Sequence, residues 1–316
     1  MATMKSIITL TLNPTIDGSA SAEVVQPLRK IRTTDERYHP GGGGINVARV
    51  VKELGGETLA IYLGGGATGA ILDDLLQNVG IASKHIAIKG YTRIAHTVFE
   101  RSSGQEYRFV PEGPEISIGE WEACLATLEV LDFDFVVASG SLPRGLADNA
   151  YQSVSAIAAH KNARFILDTS GAALRDTLDH GVFMIKPNLG ELEELVGRLL
   201  PDTSTQVTAA RDLISRKAAE VVAVTLGADG ALIVDKDEAW RAITPPIEAR
   251  SAVGAGDSFV GAVTLAFAQE RPLNAALAYG VAAGTAAVLS PGAELSRAED
   301  VERLYAELLP KIERIV

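Results

Sequence analysis

Residues 252–259 read Ala-Val-Gly-Ala-Gly-Asp-Ser-Phe, a loop of small residues that leads into a run with the apolar spacing of a helix. Small residues at such a junction leave the free amides at the start of the helix exposed, and exposed amides form an anion site. Asp257 falls in the predicted first turn. An acid is common there because it stabilises the helix end. Beside a phosphate site, the same carboxylate is also able to accept the proton of a hydroxyl group.

Strand-like apolar runs alternate with helical patterns on both sides of this stretch. Strands are predicted at 6–12, 58–63, 133–138, 164–167, 182–185 and 221–225, and helices at 45–54, 71–79, 118–130, 146–160, 189–198, 205–218, 257–269, 273–289 and 298–313. This alternation predicts an α/β fold with a mostly parallel sheet that helices cover on both faces. Ligands of such sheets bind at the carboxyl ends of the strands.

Two polar stretches, 16–38 and 93–110, interrupt the alternation, and the second contains two strand-like runs joined by Ser102-Ser103-Gly104. We predict that they form a small β-sheet attached to a main domain of residues 1–15, 39–92 and 111–316. The two stretches contain the cations Arg29, Lys30, Arg32, Arg93, Arg101 and Arg108. The small sheet is either a solvated flap or an active-site lid, and positive charge on a lid would suit a phosphorylated ligand.

The composition limits the classes of partner. The chain of 316 residues has 29 Lys and Arg against 40 Asp and Glu, a net charge of −11, which argues against a nucleic-acid partner. The longest uncharged stretch, 273–289, is short for a membrane span and predicts a buried helix. Cys124 is the single cysteine, so an internal disulfide and a cysteine-rich metal site are excluded. With no secretory signal visible at the start, we expect a cytoplasmic protein.

A second glycine cluster, Pro40-Gly41-Gly42-Gly43-Gly44-Ile45-Asn46, lies directly before a predicted helix. Glycines leave the main chain open to a ligand, and the amide of Asn46 is able to donate and to accept hydrogen bonds. The alternative is a flexible loop that precedes a helix. Four consecutive glycines are costly in conformational entropy, which favours a binding role.

A third cluster, Gly64-Gly65-Gly66-Ala67-Thr68-Gly69, matches G-x-G-x-x-G between a strand and a helix, the context of dinucleotide binding. The acidic residue that would hold the ribose is missing about 20 residues later, and the motif does not follow the first strand. A nicotinamide-dependent oxidoreductase is therefore an alternative hypothesis. The glycines are more simply turn residues, or they let another ligand approach the backbone.

Polar residues follow several of the predicted strands. Asp168 closes one strand, Lys186 and Asn188 follow the next, and Glu191 begins a helix. Asn188 and Glu191 are three residues apart, within reach of one Mg²⁺ ion or its waters, although an ordinary helix cap has the same pattern. The turn at 225–230 is either a hairpin turn or a contact for a nucleotide. The P-loop motif and the protein-kinase motifs are absent, and the five histidines show no metal-ligand spacing.

With these motifs in this order, the sequence resembles the ribokinase-like (pfkB-type) carbohydrate kinases over nearly its whole length. The likeness rests on 41–46, 186–191 and 254–257, the last with the Gly-Ala-Gly-Asp signature. It is closest to the branch of the minor-type 6-phosphofructokinases, 1-phosphofructokinases and tagatose-6-phosphate kinases, on the segments 9–17, 41–49, 105–109 and 139–143. The residues at 15–18 depart from the phosphofructokinase pattern, which leaves the identity of the sugar open.

The resemblance implies a ribokinase-like three-layer sandwich with a small β-sheet lid, and ATP-dependent, Mg²⁺-dependent phosphorylation of a sugar phosphate. The first expectation is conversion of fructose 6-phosphate to fructose 1,6-bisphosphate, with tagatose-6-phosphate kinase and 1-phosphofructokinase as alternatives. A homodimer through the lid is also implied. A further hypothesis is a kinase-like fold that binds a sugar phosphate without catalysis, but such a protein has no need of Asp257, Asn188 and Glu191.

The resemblance also implies roles for individual residues. Asp257 would be the general base, and the amides that hold the transferred phosphoryl group would come from Gly254, Ala255 and Gly256. Asn188 and Glu191 would position Mg²⁺, with Asp168 acting through water. The nucleotide would contact Lys186, Asn188, Thr225, Gly227 and Gly230. The sugar hydroxyls would contact Asp17, Gly42, Gly43, Asn46 and Ser141. The substrate phosphate would bind Arg93, together with Lys30 and Arg32 from the lid, which are able to reach into a partner subunit.

Overall fold

The computed structural model describes residues 5–247, 251–290 and 294–315, which form two β-sheets and ten α-helices. The strands are β1 (Ile7–Thr11), β2 (Thr15–Ala22), β3 (Thr34–Gly41), β4 (Thr58–Gly65), β5 (Ala82–Ile88), β6 (Arg93–Glu100), β7 (Glu106–Phe109), β8 (Phe135–Ser139), β9 (Arg164–Asp168), β10 (Val182–Ile185), β11 (Ala219–Thr225), β12 (Ala231–Val234), β13 (Ala239–Ala242) and β14 (Glu313–Ile315). The helices are α1 (Gly43–Glu53), α2 (Gly66–Asn78), α3 (Ile118–Val130), α4 (Ala150–His160), α5 (Gly171–Thr177), α6 (Leu189–Val196), α7 (Thr203–Ser215), α8 (Ala255–Ala268), α9 (Leu273–Leu289) and α10 (Ala298–Leu308).

The large sheet has ten strands in the order β14-β13-β12-β11-β10-β9-β8-β1-β4-β5. The seven strands from β11 to β5 are parallel, because helices return the chain to the same end of the sheet between them. The last three strands, β12, β13 and β14, are antiparallel to their neighbours at one edge. The predicted α/β fold with a mostly parallel sheet is confirmed.

Helices cover both faces of the large sheet, since its central strands are apolar on both sides. Every residue of β1 and β8 is buried. One face packs against α3, α4, α6 and α7, and Cys124 is buried there as predicted. The other face packs against α1, α8, α9 and α10. The three layers predicted from the family resemblance are therefore present.

The apolar stretch at 273–289 forms the buried helix α9, as predicted. Helix α9 packs closely on α8 because the residue at the contact is Gly280, which has no side chain. A Cβ atom at this position would lie 2.6 Å from Cγ2 of Val263. In the described part of the chain, we find no helix with the length and apolar character needed to cross a membrane.

The small sheet has the strand order β3-β2-β6-β7. Its two outer pairs are antiparallel, and β2 runs parallel to β6. Only three residues separate β1 from β2, and β3 leads directly into α1, so the base of the small sheet lies beside the glycines at 41–44. The two strands predicted around the turn at 102–104 are confirmed as β6 and β7.

Several elements differ from the prediction. The helix predicted at 298–313 ends at Leu308, a short 3-10 turn containing Pro310 follows, and the chain then forms the edge strand β14. The helix predicted at 146–160 begins only at Ala150. Four strands of the large sheet and one helix were not predicted: β5, β12, β13, β14 and α5.

Candidate active site

The carboxyl ends of four neighbouring strands place polar side chains in a row. Ser139 ends β8, Asp168 ends β9, Lys186 follows β10 and Thr225 ends β11. The row is continuous: the amide of Gly140 donates to the carbonyl of Asp168 at 3.0 Å. At its other end the amide of Thr225 donates to the carbonyl of Pro187, also at 3.0 Å. The order of the strands in the sheet therefore brings together residues that are far apart in the sequence.

Helix α8 begins at this row with its amides available to a ligand. Gly254 precedes the helix with a left-handed φ of +74°, a conformation that glycine adopts without strain. The amides of Ala255, Gly256 and Asp257 donate to no backbone carbonyl among the described residues. The first backbone hydrogen bond of the helix is donated by the amide of Ser258 to the carbonyl of Gly254. Free amides and the helix dipole together favour an anion at this end.

Asp257 lies in the first turn of α8 and its carboxylate contacts two other elements. Oδ2 accepts a hydrogen bond from Nδ2 of Asn46 at 2.9 Å, and Oδ1 lies 3.4 Å from the hydroxyl of Ser139. Burial, with a smaller contribution from the charge of Asp168, raises the pKa of Asp257 to about 6 against the opposing effects of Asn46 and Lys186. A carboxylate with a raised pKa is a stronger base than an ordinary aspartate.

Lys186 forms a buried ion pair beside α8. Its Nζ lies 3.1 Å from Oδ1 of Asp168, and its side chain is 8% exposed. Burial alone would lower the pKa of Lys186, but the carboxylates of Asp168, Glu191 and Asp257 outweigh it, and the pKa lies above the usual value. The other oxygen of Asp168 accepts from Ser139 at 3.2 Å. A permanent cation therefore lies next to the free amides of α8.

The glycines at 41–44 pack so tightly that no side chain fits. A Cβ atom on Gly43 would lie 2.2 Å from the hydroxyl oxygen of Ser139, and one on Gly41 would lie 2.0 Å from a carboxylate oxygen of Asp17. Gly42 has a φ of +102°, outside the range that other residues adopt easily. The loop thus brings bare main chain between Asp17 and the Asp257 region, and its role in binding a ligand stays a prediction.

Asp17 lies on β2, opposite His39 of β3, and is partly buried. Burial raises the pKa of this carboxyl to about 6, although the charges of Arg49, Arg93 and Arg108 act in the opposite direction. The site therefore contains two carboxyl groups with raised pKa values, Asp17 at the base of the small sheet and Asp257 on the main domain.

Asn13 lies between Arg93 and Ser141 and contacts both of them. Arg93 donates from Nη2 to the carbonyl of Asn13 at 2.8 Å and from Nη1 to the carbonyl of Pro111 at 2.9 Å. The side chain of Asn13 lies 3.4 Å from the hydroxyl of Ser141, which is exposed. Two carbonyl contacts use two of the five donors of the guanidinium, and Nε has no partner among the described residues. Arg93 therefore retains donors for a further acceptor.

Among the described residues, no contact holds Lys30 or Arg32 close to this cluster. Both are exposed in the loop between β2 and β3, and neither forms a hydrogen bond or an ion pair with the residues that the structure describes. Arg108 is exposed on β7. Their predicted contacts with a phosphate remain predictions.

The candidate Mg²⁺ ligands Asn188 and Glu191 form a capping box at the start of α6. The Asn188 side chain accepts from the amide of Glu191 at 2.9 Å, and Glu191 Oε2 accepts from the amide of Asn188 at 2.8 Å. Within the described ranges, no group of three His, Cys, Asp or Glu residues is able to enclose a metal ion. Mg²⁺ is commonly bound through only one or two carboxylates, with waters and substrate phosphates as the other ligands, so the carboxylate of Glu191 has the chemistry that such an ion requires.

The predicted nucleotide contacts at 225–230 form the turn between β11 and β12. Gly227 has a φ of +61°, and open space surrounds the position of a Cβ atom there. Gly230 is different, because a Cβ atom would lie 1.9 Å from the carbonyl oxygen of Ala242. Packing of the chain on itself therefore explains Gly230, whereas Gly227 and the end of β11 leave room for a ligand.

The glycine motif at 64–69 connects β4 to α2, but other parts of the chain occupy the space beside it. A Cβ atom on Gly65 would lie 2.2 Å from the carbonyl oxygen of Ile88, and one on Gly66 would lie 2.4 Å from the ring of Tyr91. The turn interpretation accounts for these glycines, and the structure gives the nicotinamide hypothesis no support.

Two residues of the cluster were not among the predicted site residues. Ser139 lies between Asp168 and Asp257, and Arg49 donates to the side chain of Asn46 at 3.1 Å. Ser139 directly follows a predicted strand and lies in the segment 139–143 on which the family resemblance rests, and these were the signals for it. Arg49 follows Asn46 by three residues on the same helix, a spacing that places two side chains together.

Comparison with known proteins agrees with this geometry. Residues 12–300 match the model of the pfkB family carbohydrate kinases. The chain is 43% identical over 301 residues to the ATP-dependent 6-phosphofructokinase isozyme 2 of Mycobacterium tuberculosis, a match that covers 95% of this chain and 88% of that protein. It is 33% identical over 304 residues to the 1-phosphofructokinase of Borreliella burgdorferi, covering 96% and 97% of the two chains. The crystal structure of phosphofructokinase-2 from Escherichia coli in complex with fructose-6-phosphate aligns with a TM-score of 0.92 at 37% identity, covering 96% and 99%.

Proposed function

The chain belongs to the pfkB family of carbohydrate kinases and is a sugar-phosphate kinase, and we propose that it transfers the γ-phosphoryl group of ATP to fructose 6-phosphate, forming fructose 1,6-bisphosphate. The observation that carries the mechanism is the position of Asp257, a carboxylate with a raised pKa in the first turn of α8, beside free amides and next to the glycine loop. The similarity to 6-phosphofructokinase isozyme 2 supports the choice of sugar.

In this mechanism Asp257 accepts the proton of the attacking sugar hydroxyl. The hydroxyl oxygen forms a bond to the γ-phosphorus, the bond from that phosphorus to the bridging oxygen breaks, and ADP leaves with the electron pair. The amides of Gly254, Ala255 and Gly256, together with that of Asp257, donate to the phosphoryl oxygens as charge develops on them. Asn46 holds the carboxylate of Asp257 in place through its 2.9 Å hydrogen bond.

The nucleotide phosphates would contact Lys186, whose buried ammonium lies next to the start of α8. Mg²⁺, when bound, neutralises charge on the phosphate oxygens, and the residues that would hold it or its waters are Asn188, Glu191 and Asp168. Thr225 and Gly227 would line the rest of the nucleotide site. Gly230 would shape that turn, since its own surroundings are filled by Ala242.

The sugar would lie between the small sheet and the main domain. Its hydroxyls would contact Asp17, Asn46 and Ser141, and the main chain at Gly42 and Gly43. Arg93 would bind the substrate phosphate with the donors that its two carbonyl contacts leave free. Lys30 and Arg32 would add charge from the small sheet, acting as a lid over the site or over that of a second subunit.

A homodimer through the small sheet fits the exposed apolar side chains found there. They are Val24, Leu28 and Ile31 in the loop between β2 and β3, and Tyr38, Phe99, Phe109 and Val110 on or next to the strands. Exposed apolar groups mark association surfaces in many proteins where they form a contiguous patch. Sedimentation equilibrium at assay concentrations is expected to show a dimer, and a monomer that phosphorylates sugars at full rate would contradict this part of the proposal.

The proposal is tested by measuring ADP release with magnesium-ATP and five acceptors: fructose 6-phosphate, fructose 1-phosphate, tagatose 6-phosphate, fructose and ribose. We expect the highest kcat/KM with fructose 6-phosphate. A preference for fructose 1-phosphate or tagatose 6-phosphate would keep the mechanism and assign the protein to one of the alternative activities of its branch. Turnover of only the unphosphorylated sugars would contradict the proposed phosphate contacts of Arg93, Lys30 and Arg32.

The raised pKa of Asp257 predicts the pH dependence of this activity. The base acts as the carboxylate, so kcat/KM is expected to fall as the pH drops through about 6, the pKa of Asp257 in the free protein. Asp17 has a pKa in the same range and steepens the fall if it too must be ionised. The measurement is kcat/KM for fructose 6-phosphate between pH 4.5 and 8, in buffers at constant ionic strength. A rate that stays constant down to the lower limit would contradict the assignment.

A further inference from the structure

Arg49 is a partly buried cation that has no role in the proposed chemistry. It lies on α1, one helical turn after Asn46, and both its hydrogen bonds come from Nη1. One goes to the carbonyl of Pro40, at the start of the glycine loop, at 3.0 Å, and the other to Oδ1 of Asn46 at 3.1 Å. Arg49 thus joins the glycine loop to the side chain that contacts Asp257.

The contact matters because the amide of Asn46 has two distinct ends. A guanidinium is able only to donate hydrogen bonds, so the oxygen of the Asn46 amide must face Arg49. The nitrogen then faces Asp257, to which it donates at 2.9 Å. While Asp257 is ionised, its carboxylate selects the same orientation. Once Asp257 has taken the proton of the sugar hydroxyl, the oxygen of a flipped amide would accept a hydrogen bond from the protonated carboxyl group and stabilise the acid form, unless the other end of the amide is already held.

We propose that Arg49 is a positioning residue that holds the amide of Asn46 in the orientation that donates to Asp257 throughout the reaction cycle. The inference rests on the proposed kinase function and extends it to a residue outside the contacts with substrate and nucleotide. The other groups around the Asp257 carboxyl are Ser139 from β8, Asp168 from β9 and Lys186 after β10. None of these contacts the oxygen of the Asn46 amide among the described hydrogen bonds, so Arg49 is the group that holds that end of the amide when Asp257 is protonated.

A purely electrostatic role of Arg49 would give a different result from a positioning role. The charge of Arg49 acts on Asp17 and Asp257 through space, and that effect would persist without Asn46. A positioning role requires the Asn46 side chain. The two are separated by a double-mutant cycle, which measures whether two side chains act through each other.

The cycle combines Arg49→Met with Asn46→Ala, and kcat, the KM for ATP and the thermal midpoint are measured for each variant. We expect Arg49→Met to lower kcat about 30-fold in the wild-type background and no more than about threefold in the Asn46→Ala background, with the KM for ATP nearly unchanged. Lys52→Met, on the same helix and exposed to solvent, is the matched control and is expected to leave kcat unchanged. Equal losses in both backgrounds would overturn the proposal.

A second comparison covers the case in which Arg49→Met does not fold. Arg49→Lys keeps a group that only donates, whereas Arg49→Gln presents an amide that is able to accept. We expect Arg49→Lys to retain kcat within about fivefold of the wild type and Arg49→Gln to lose about 30-fold. Equal activity of the two variants would overturn the positioning role. Wild-type protein assayed in parallel distinguishes failure of the inference from failure of the proposed function. No sugar phosphorylation by the wild type would refute the proposed function, and the inference with it.

Discussion

Replacement of Asp257 by Asn is expected to lower kcat for sugar phosphorylation by a factor of about 10³ to 10⁴, the upper part of the range for a general base. The amide has the shape of the carboxylate but does not accept a proton from the sugar hydroxyl. The amides of Ala255 and Gly256 stay in place, because Gly254 and the helix determine their positions. Nucleotide affinity is therefore expected to remain within about threefold of the wild-type value.

The measurement pairs steady-state kinetics with calorimetric titration of a non-hydrolysable ATP analogue. Asp300→Asn is the matched control, since Asp300 also lies in the first turn of a helix, α10, and forms an exposed contact with Arg303 at 2.8 Å. The control is expected to keep the kcat of the wild type. An Asp257→Asn variant that retained more than about a tenth of the wild-type kcat would show that another group takes the proton.

Replacement of Lys186 by Met is expected to destabilise the fold and to weaken ATP binding at the same time. Lys186 is buried and lies 3.1 Å from Asp168, so its removal leaves a largely buried carboxylate without its partner. Breaking a buried ion pair in this way costs about 3–5 kcal/mol of folding free energy. In the proposed mechanism the nucleotide phosphates also lose a charged donor, and we expect the KM for ATP to rise at least about tenfold.

A second substitution separates the two effects. Asp168→Asn in the Lys186→Met background removes the unpaired charge, so urea denaturation is expected to show recovery of about half of the lost stability. The KM for ATP is expected to stay high, because the cation is still missing. Lys236→Met, which removes an exposed lysine in the turn after β12, is the control for both measurements. Recovery of ATP binding together with stability would mean that Lys186 has only a structural role.

The sequence predicted the central part of the fold because the physical signal there is strong. Strands such as β8 are buried on both faces and consist of continuous apolar residues, and helices with clear periodicity lie between them. The edge strands β5 and β14 were missed because they are largely exposed, and an exposed strand lacks such a run. The helix predicted at 298–313 was too long because its periodicity continues past Pro310, where the structure has a 3-10 turn instead.

The site was predictable where it depends on local motifs, and not where it depends on distant contacts. The glycine loops at 41–44 and 254–257 were recognisable in the sequence as candidate binding loops, with a flexible loop and an ordinary helix start as the alternatives. The contact of Asn46 with Asp257 joins residues 211 positions apart, so only the folded chain shows it. Asn188 and Glu191 illustrate the ambiguity of short motifs, since one pattern serves as a helix cap and as a candidate metal contact.

The central claim is that this protein transfers a phosphoryl group from ATP to a sugar phosphate. The most direct test measures ADP and fructose 1,6-bisphosphate together in one reaction of the wild-type protein with magnesium-ATP and fructose 6-phosphate. The proposed function predicts equal amounts of the two products and negligible ADP when the sugar phosphate is omitted. ADP formed without the bisphosphate, or formed at the same rate without the sugar phosphate, would contradict it.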